Sequence, residues 1–516
     1  MAAGIAQANT GNMTDERTRA ARRVLTVAVM LGVLADAALK NAPGGLGWTL
    51  WVVALALAAL YVAQTRAFSV TRKQTAWLAA AVACATAFAW RDADELRAAN
   101  VLGTLVALAL FGMSATGLPA ASILAARIRD VIAAGVYTVR DIIVGTPVLV
   151  VRDAALHALP AVRGGASWPV LRAVLLTVPL VFVFTVLLSR ADPVFAAVFH
   201  LPQIDAERFF SHVLIAGAFA WWSAGWLRGA LLGVARRVAL PEQIPVRLGL
   251  AEITTSLGAV IALFALFVGL QLRWLFGGAD VVLATTGLTV AEYARRGFFE
   301  LVAVAALVLP LILGLRATIE DEHVVRRHRQ LSIALIVLLA AIMASALLRV
   351  RLYILYFGLT TDRLYATALM AWLGMVFVSM ALTILRGRAR PFAAMTVLSG
   401  FATLFALNAM NPDLLVARVN LGRAPGVRGI DYVYLARLSG DAAPVVAKAL
   451  NAAAPSPVSC EAAQSLRLRW LGGQEPSWNL GARRGRASVA DDLSPTDVQR
   501  ICTGVAARET PGDREK

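Results

Sequence analysis

The feature that most restricts this chain is a series of apolar runs, each long enough to cross about 30 Å of hydrocarbon. With a window of roughly 19 residues, such runs fall near 24–39, 46–63, 75–90, 99–117, 170–188, 211–233, 250–270, 298–315, 331–349, 367–385 and 392–410. The first and third are the shortest. In lipid the backbone finds no water, so every N–H and C=O in a run must be satisfied within it, and runs of this length do so as helices. Composition agrees, because 59% hydrophobic residues, 16% charged residues and a mean hydropathy of +0.69 over 516 positions are too apolar for an ordinary soluble protein. The expected fold is an all-α polytopic membrane protein of about eleven transmembrane helices. A small, mainly helical extracytoplasmic carboxyl-terminal domain completes it.

The net charge of +17 comes almost wholly from arginine. Such a balance suits nucleic acid or anionic lipid, but here the arginines stand in small groups between apolar runs. That pattern sets topology and excludes nucleic acid as the expected partner. With the amino terminus inside, the inner segments hold about twice as many Lys and Arg as the outer loops, as the positive-inside rule requires. The chain then divides into a cytoplasmic tail (1–23), a first group of about four membrane helices (24–117), a cytoplasmic interfacial segment (118–169), a main bundle of about seven helices (170–411) and a periplasmic carboxyl-terminal domain (412–516) with a disordered end. Ala35 and Ala37 imitate a signal-peptidase site. The long acidic-containing region before that run favours an uncleaved first helix instead.

Within 118–169 the Arg-Asp pairs at 129/130 and 140/141 are eleven residues apart. Three helical turns separate them, so they share a face. Gly145 and Pro147 interrupt the helix before the third pair at 152/153. An amphipathic helix lying among inner headgroups is the preferred expectation for this segment.

Cys460 and Cys502 are the two cysteines of the polar terminal segment, while Cys84 sits in an apolar run. An even pair in an exported segment reads as a disulfide. Closing a loop of that length stabilises the domain by about 4 kcal/mol in the chain-entropy model.

Three dense polar stretches fall on the expected outer side. In "EYARRGFFELVAVAALVLPLILG", Glu292, Arg296 and Glu300 follow at i, i+4 and i+8, beside Tyr293 and Arg295. One helix face would align them, with Arg296 bridging both carboxylates. In "LLRVRLYILYFGLTTDRLYATALM", Arg351 and Arg363 accompany Tyr353 and Tyr356, a combination suited to anionic headgroups or phosphate. The third, "SRADPVFAAVFHLPQIDAERFFSH", has the phenylalanines of a loop that returns to the membrane surface. For the first stretch, marking and neutralising an outer helix entrance is the preferred reading over a binding site. For the second, interfacial anchoring explains the residues as well as a binding site does.

Walker A, G-x-S-x-G, H-E-x-x-H and C-x-x-C are all missing from the sequence. No catalytic residue, metal ligand or cofactor is therefore assigned. His323 and His328 read as solvated loop histidines. No acidic or basic residue falls near the middle of an expected span, which weakens proton-coupled transport.

The stretches "EYARRGFFELVAVAALVLP", "LLRVRLYILYFGLTTDRLYA" and "DYVYLARLSGDAAP" resemble an uncharacterised bacterial multi-pass membrane family, known only as a domain of unknown function (the forty-one seventy-three / forty-one fifty-three group). The resemblance spans roughly residues 170–450 and implies a bacterial inner-membrane protein, without bringing a catalytic residue, substrate or cofactor. The favoured expectation is a non-enzymatic envelope, sensing or accessory protein whose partners are the bilayer and either anionic lipid or another envelope protein. A transporter or lipid-handling carrier is the alternative. An enzyme acting on a lipid-linked substrate comes last.

Overall fold

A computed structural model describes residues 2–40, 45–64, 72–115, 126–154, 206–232, 247–286, 298–388, 390–423, 429–473 and 478–506, with isolated helical positions between 173 and 188. Among them the chain is 87% helix and has no strand. The described residues are all-helical, and the apolar helices among them are those of a membrane-embedded protein. Eight helical stretches of described residues are long and apolar enough to cross a membrane. Seven of them, at Leu46–Ala63, Asp94–Met113, Leu250–Leu270, Glu300–Ala317, Glu322–Arg351, Thr361–Arg386 and Arg390–Met410, coincide with expected runs. The eighth, Ile128–Asp153, lies in the segment expected at the headgroups. Of the remaining expected runs, 24–39 forms the end of a longer helix, 75–90 a shorter apolar helix and 211–233 an α-helix followed by a π turn. The run 170–188 falls mostly outside the described residues.

Two compact units share the chain, each assembled from separated stretches. The first comprises Met1–Phe88, Thr104–Ala121 and Ile132–Arg237. Its elements are α1 (Ala2–Leu39), α2 (Leu46–Ala63), most of α3 (Arg72–Trp90), the later part of α4 (Asp94–Ala115), most of α5 (Ile128–Val148) and α6 (Ala206–Leu227). Small residues let these helices touch, as expected where lipid gives no hydrophobic drive to association. A Cβ added at Gly32 of α1 would lie 2.3 Å from the Ala216 carbonyl oxygen of α6, and one at Gly225 of α6 would lie 2.4 Å from the Asp141 carbonyl oxygen of α5. Aromatic packing then fixes the rotation of the helices. Trp51 is fully buried, donates from Nε1 to the Leu31 carbonyl at 3.1 Å and packs 4.8 Å from the Trp222 ring.

The ionic groups that made 118–169 look interfacial have specific local uses. Asp130 accepts from the Arg127 N–H at 2.7 Å where α5 begins. The Asp141 carboxyl lies over Gly229, where a Cβ would come 2.3 Å from Oδ2. Asp153 ends a π turn, Leu149–Asp153, that follows Pro147, whose missing N–H disturbs the regular ladder. Ile132, Val136, Val139 and Ile143 form an exposed apolar stripe at helical spacing along α5.

The second unit comprises Ala89–Gly103, Ser122–Val131 and Val238–Lys516. Its membrane helices are α7 (Leu250–Thr286), α8 (Phe298–Ala317), α9 (Glu322–Phe357), α10 (Thr361–Leu382) and α11 (Arg390–Met410). Leu257, Ile312, Leu339 and Phe377 interlock in one core among them. Six shorter helices follow: α12 (Pro412–Leu421), α13 (Tyr432–Ala436), α14 (Ala443–Asn451), α15 (Pro457–Leu471), α16 (Leu480–Asp492) and α17 (Pro495–Ala506). At α12, α13, α15 and α16 the helix start is capped by a side chain that accepts an otherwise unpaired N–H group. Asp431 accepts from Tyr434 N and Asn479 from Ala482 N, while Ser456 and Ser459 form a capping box.

These terminal helices enclose Val446, Leu450, Ala463, Leu466, Val489 and Ile501, all at most 1% exposed. Leu359, from the turn between α9 and α10, belongs to the same core. The Sγ atoms of Cys460 and Cys502 are bonded, with their Cα atoms 4.9 Å apart, and join α15 to α17.

Candidate functional site

The densest buried polar structure of the second unit surrounds the three-residue connector 91–93 between α3 and α4. A chain leaving one apolar helix and entering another has unpaired backbone groups at both ends. Here the terminal helices satisfy them. Asp92 N donates to Asp441 Oδ2 at 2.8 Å, and Asp92 Oδ2 in return accepts from Gly440 N at 2.9 Å. Asn479 Nδ2 donates to the Arg91 carbonyl at 2.6 Å. The result is a reciprocal clasp between the connector and the turn preceding α14.

Two arginines hold its charge. Arg91 stacks its guanidinium 3.9 Å from the Trp90 ring centroid, donates from Nε to the Asn408 carbonyl at 2.7 Å and reaches Asp441 Oδ1 at 3.4 Å. Arg97 bonds Asp92 Oδ1 and, at 2.8 Å, Asp94 Oδ1. Below them, buried Asn100 of α4 and Asn408 of α11 exchange amide hydrogen bonds at 3.0 Å in both directions. In an apolar surrounding such a fully paired amide couple specifies one register between two helices.

Close packing makes the geometry exacting. A Cβ on Gly440 would lie 2.7 Å from the Cα of Ala482 and 2.9 Å from the Trp470 ring, so the turn approaches α16 as only glycine permits. Asn411, the one non-glycine residue with positive φ among the described residues, adopts φ 57° and caps α12 by accepting from Leu414 N. Asparagine tolerates that conformation better than most residues. Its Nδ2 also reaches Asp441 Oδ1 at 3.5 Å.

Burial pushes the carboxyls of both Asp92 and Asp441 above the ordinary range. For Asp92 the Gly440 N–H and Arg97 oppose that rise, while Asp441 and Asp94 add to it. For Asp441 the Asp92 N–H and Arg91 oppose it, and Asp413 adds to it. Asp413 is 4% exposed and accepts from Ser439 N at 2.9 Å through Oδ2. Its Oδ1, the Ser439 hydroxyl and the Tyr365 hydroxyl are buried without a protein partner among the described residues. The junction thus concentrates acceptors and excess negative charge at the ends of membrane helices. Among the described residues no group of three His, Cys, Asp or Glu side chains has a metal-binding arrangement.

A second latch sits at the turn between α9 and α10. Asn420 accepts from Leu359 N at 2.9 Å and donates to the Leu359 carbonyl at 2.7 Å, replacing a missing strand-like partner. Tyr434 Oη accepts from Thr361 N at 3.0 Å, and burial raises its phenol above the usual range. Gly358, at φ +91°, is required here twice over, because a Cβ would also lie 2.4 Å from Asn420 Oδ1.

Glu292, Tyr293, Arg295 and Arg296 lie outside the described residues. Glu300 is exposed in the first turn of α8. Arg351 is exposed near the end of α9. Tyr353 and Tyr356 fall in the last turns of α9, and their side chains lie outside the described positions. Arg363 is half-buried and donates from Nη1 to the Gly358 carbonyl at 3.4 Å, beside the Asn420 latch. The clasp residues Arg91, Asp92, Asn100, Asn408 and Asp441 escaped sequence reasoning. Two signals pointed toward them: asparagine inside apolar runs, and Asp441 inside the quoted "DYVYLARLSGDAAP".

The family model described as "Domain of unknown function (DUF4153)" matches residues 77–449. The chain belongs to this family. The match begins well before residue 170, so it takes in the 91–93 connector and ends after Asp441. Both halves of the clasp therefore lie within the family domain, whereas Asn479 and the disulfide lie beyond it. The chain matches no curated protein and no solved structure.

Proposed function

We propose that this chain is a bacterial inner-membrane protein of about eleven spans, with a cytoplasmic amino terminus and a periplasmic helical domain, acting as a non-enzymatic envelope, sensing or accessory component. The observation that carries the reading is the reciprocal clasp of Asp92 with Gly440 and Asp441. It couples the terminal helices to a connector between membrane helices through backbone hydrogen bonds, so a load or partner on those helices bears directly on the membrane part. The outward charge assignment places that connector, the α9–α10 turn and the terminal segment on one side of the membrane, as their contacts require. The polar positions Glu292, Tyr293, Arg295, Arg296, Glu300, Arg351, Tyr353, Tyr356 and Arg363 belong to that side in this reading and would meet anionic lipid or another envelope protein.

Topology is the first test. A reporter joined to the carboxyl terminus should be active in the periplasm, with Cys460 and Cys502 oxidised in cells. Activity confined to the cytosol would sink the reading.

A specific observation favours a second one. The raised carboxyls of Asp92 and Asp441, beside acceptors without protein partners, suit a proton-responsive transporter or lipid-handling carrier. Proton-dependent uptake into proteoliposomes that Asp441→Asn abolishes would select it.

A further inference from the structure

An apolar groove of about 710 Å³ runs between α1 and α2 within the first unit. Val27, Met30 and Leu34 of α1 line one wall and Leu57 of α2 the other, while Arg22, Arg23 and Tyr61 close one end. The lining holds no carboxylate. Among the described residues neither arginine takes part in an ion pair. Arg22 is oriented by donating from Nε to the Ala154 carbonyl at 3.1 Å, which leaves its two terminal nitrogens for another acceptor. Arg23 is held over the Tyr61 ring, 5.7 Å from its centroid.

We propose that this groove is a site for one anionic phospholipid, its phosphate held between Arg22 and Arg23 and an acyl chain laid along Val27, Met30, Leu34 and Leu57. Charge and length both fit. Two guanidinium forks match a phosphate better than a zwitterion whose ammonium they would repel. The rise from Arg23 to Leu34 at 1.5 Å per residue is about 17 Å, close to half of a hydrocarbon core of about 30 Å, the depth that one leaflet's chain spans. Val27, Met30 and Leu34 follow Arg23 at i+4, i+7 and i+11, so one helix face carries headgroup contact and chain contact in register. Ordinary lipid-facing surface needs no paired cations at its end. Basic pockets between membrane helices are known to select anionic headgroups.

The test uses the full chain, purified in detergent and titrated with phosphatidylglycerol or phosphatidylcholine, with bound lipid counted by native mass spectrometry. Retention of phosphatidylglycerol should exceed that of phosphatidylcholine roughly tenfold, and Arg22→Gln with Arg23→Gln should erase the preference. Leu57→Trp, which keeps both arginines and fills the groove, should also reduce retention, and it covers the case in which the double variant fails to fold. Equal retention of the two lipids by the unaltered protein overturns the proposal. So does an unchanged preference in the double variant, or in Leu57→Trp when the double variant cannot be purified.

Discussion

The two units each bury an ion cluster, and the clusters carry opposite surpluses. In the first unit a single carboxylate, Asp153, faces two guanidinium groups: Arg228 at 2.6 Å and Arg17 at 3.3 Å. Arg17 spends another donor on the Leu232 carbonyl at 3.0 Å. In the second unit three buried carboxylates, Asp92, Asp413 and Asp441, share two arginines and a set of backbone N–H donors. The difference decides how each responds to its surroundings. Arginine cannot shed its proton in a protein, so a surplus of guanidinium must be met by fixed carbonyl acceptors. A surplus of carboxylate can be relieved by taking up a proton, and burial moves Asp92 and Asp441 toward doing so. The first cluster is held by fixed acceptors, while the second contains carboxyls that burial moves toward proton uptake.

The sharpest break in that comparison is Asp153→Ala, which strands Arg228 without a counter-charge. It should cost about 3–5 kcal/mol of stability, read by chemical denaturation of the purified protein, with much of the loss recovered when Arg228→Met is added. A cost below about 1 kcal/mol would show that the first cluster is not a buried ion network.

Next in size is the disulfide. Cys460→Ser with Cys502→Ser should lower the stability of the terminal helices by about 2–4 kcal/mol, seen as faster proteolysis of α15 to α17 while the membrane helices stay protected. Uniform proteolysis of both parts would mean that the terminal helices do not unfold separately.

Asn420→Ala removes both hydrogen bonds to Leu359 and should cost about 1–3 kcal/mol. Hydrogen exchange at residues 358–360 should accelerate, with little change near the Asp92 clasp.

The smallest effect sharpens the contrast in sign. Because Asp92 and Asp441 have raised values in the folded protein, their stabilising contribution is complete below the ordinary carboxyl range and is lost as pH rises through the raised values. Stability should therefore decline above about pH 4, and Asp441→Asn should flatten that slope. An unchanged slope in Asp441→Asn would remove this carboxyl from the pH response.

Much of the architecture was legible in the residues. Seven of the expected runs coincide with candidate spans because a stretch of some twenty apolar residues has few other solutions in lipid. The segment 118–169 was harder, since its Arg-Asp pairs have the same spacing whether they face headgroups or bury themselves against a neighbouring helix. Asp153 illustrates this: 4% of its side chain is exposed, and its partner Arg228 is 75 residues away. The clasp was less legible still. Asp92 and Asp441 are 349 residues apart, and each sits among charges that read as ordinary boundary residues.

Sequence alone determined that this chain is helical, membrane-embedded and continued by a polar helical segment with two cysteines, because hydropathy and backbone satisfaction act locally along the chain. Tertiary structure alone decided which charges meet, which helix faces lie against glycine and where two arginines frame an apolar groove. Those outcomes depend on pairings across hundreds of residues, and an ionic side chain carries no local mark of the partner that will neutralise it.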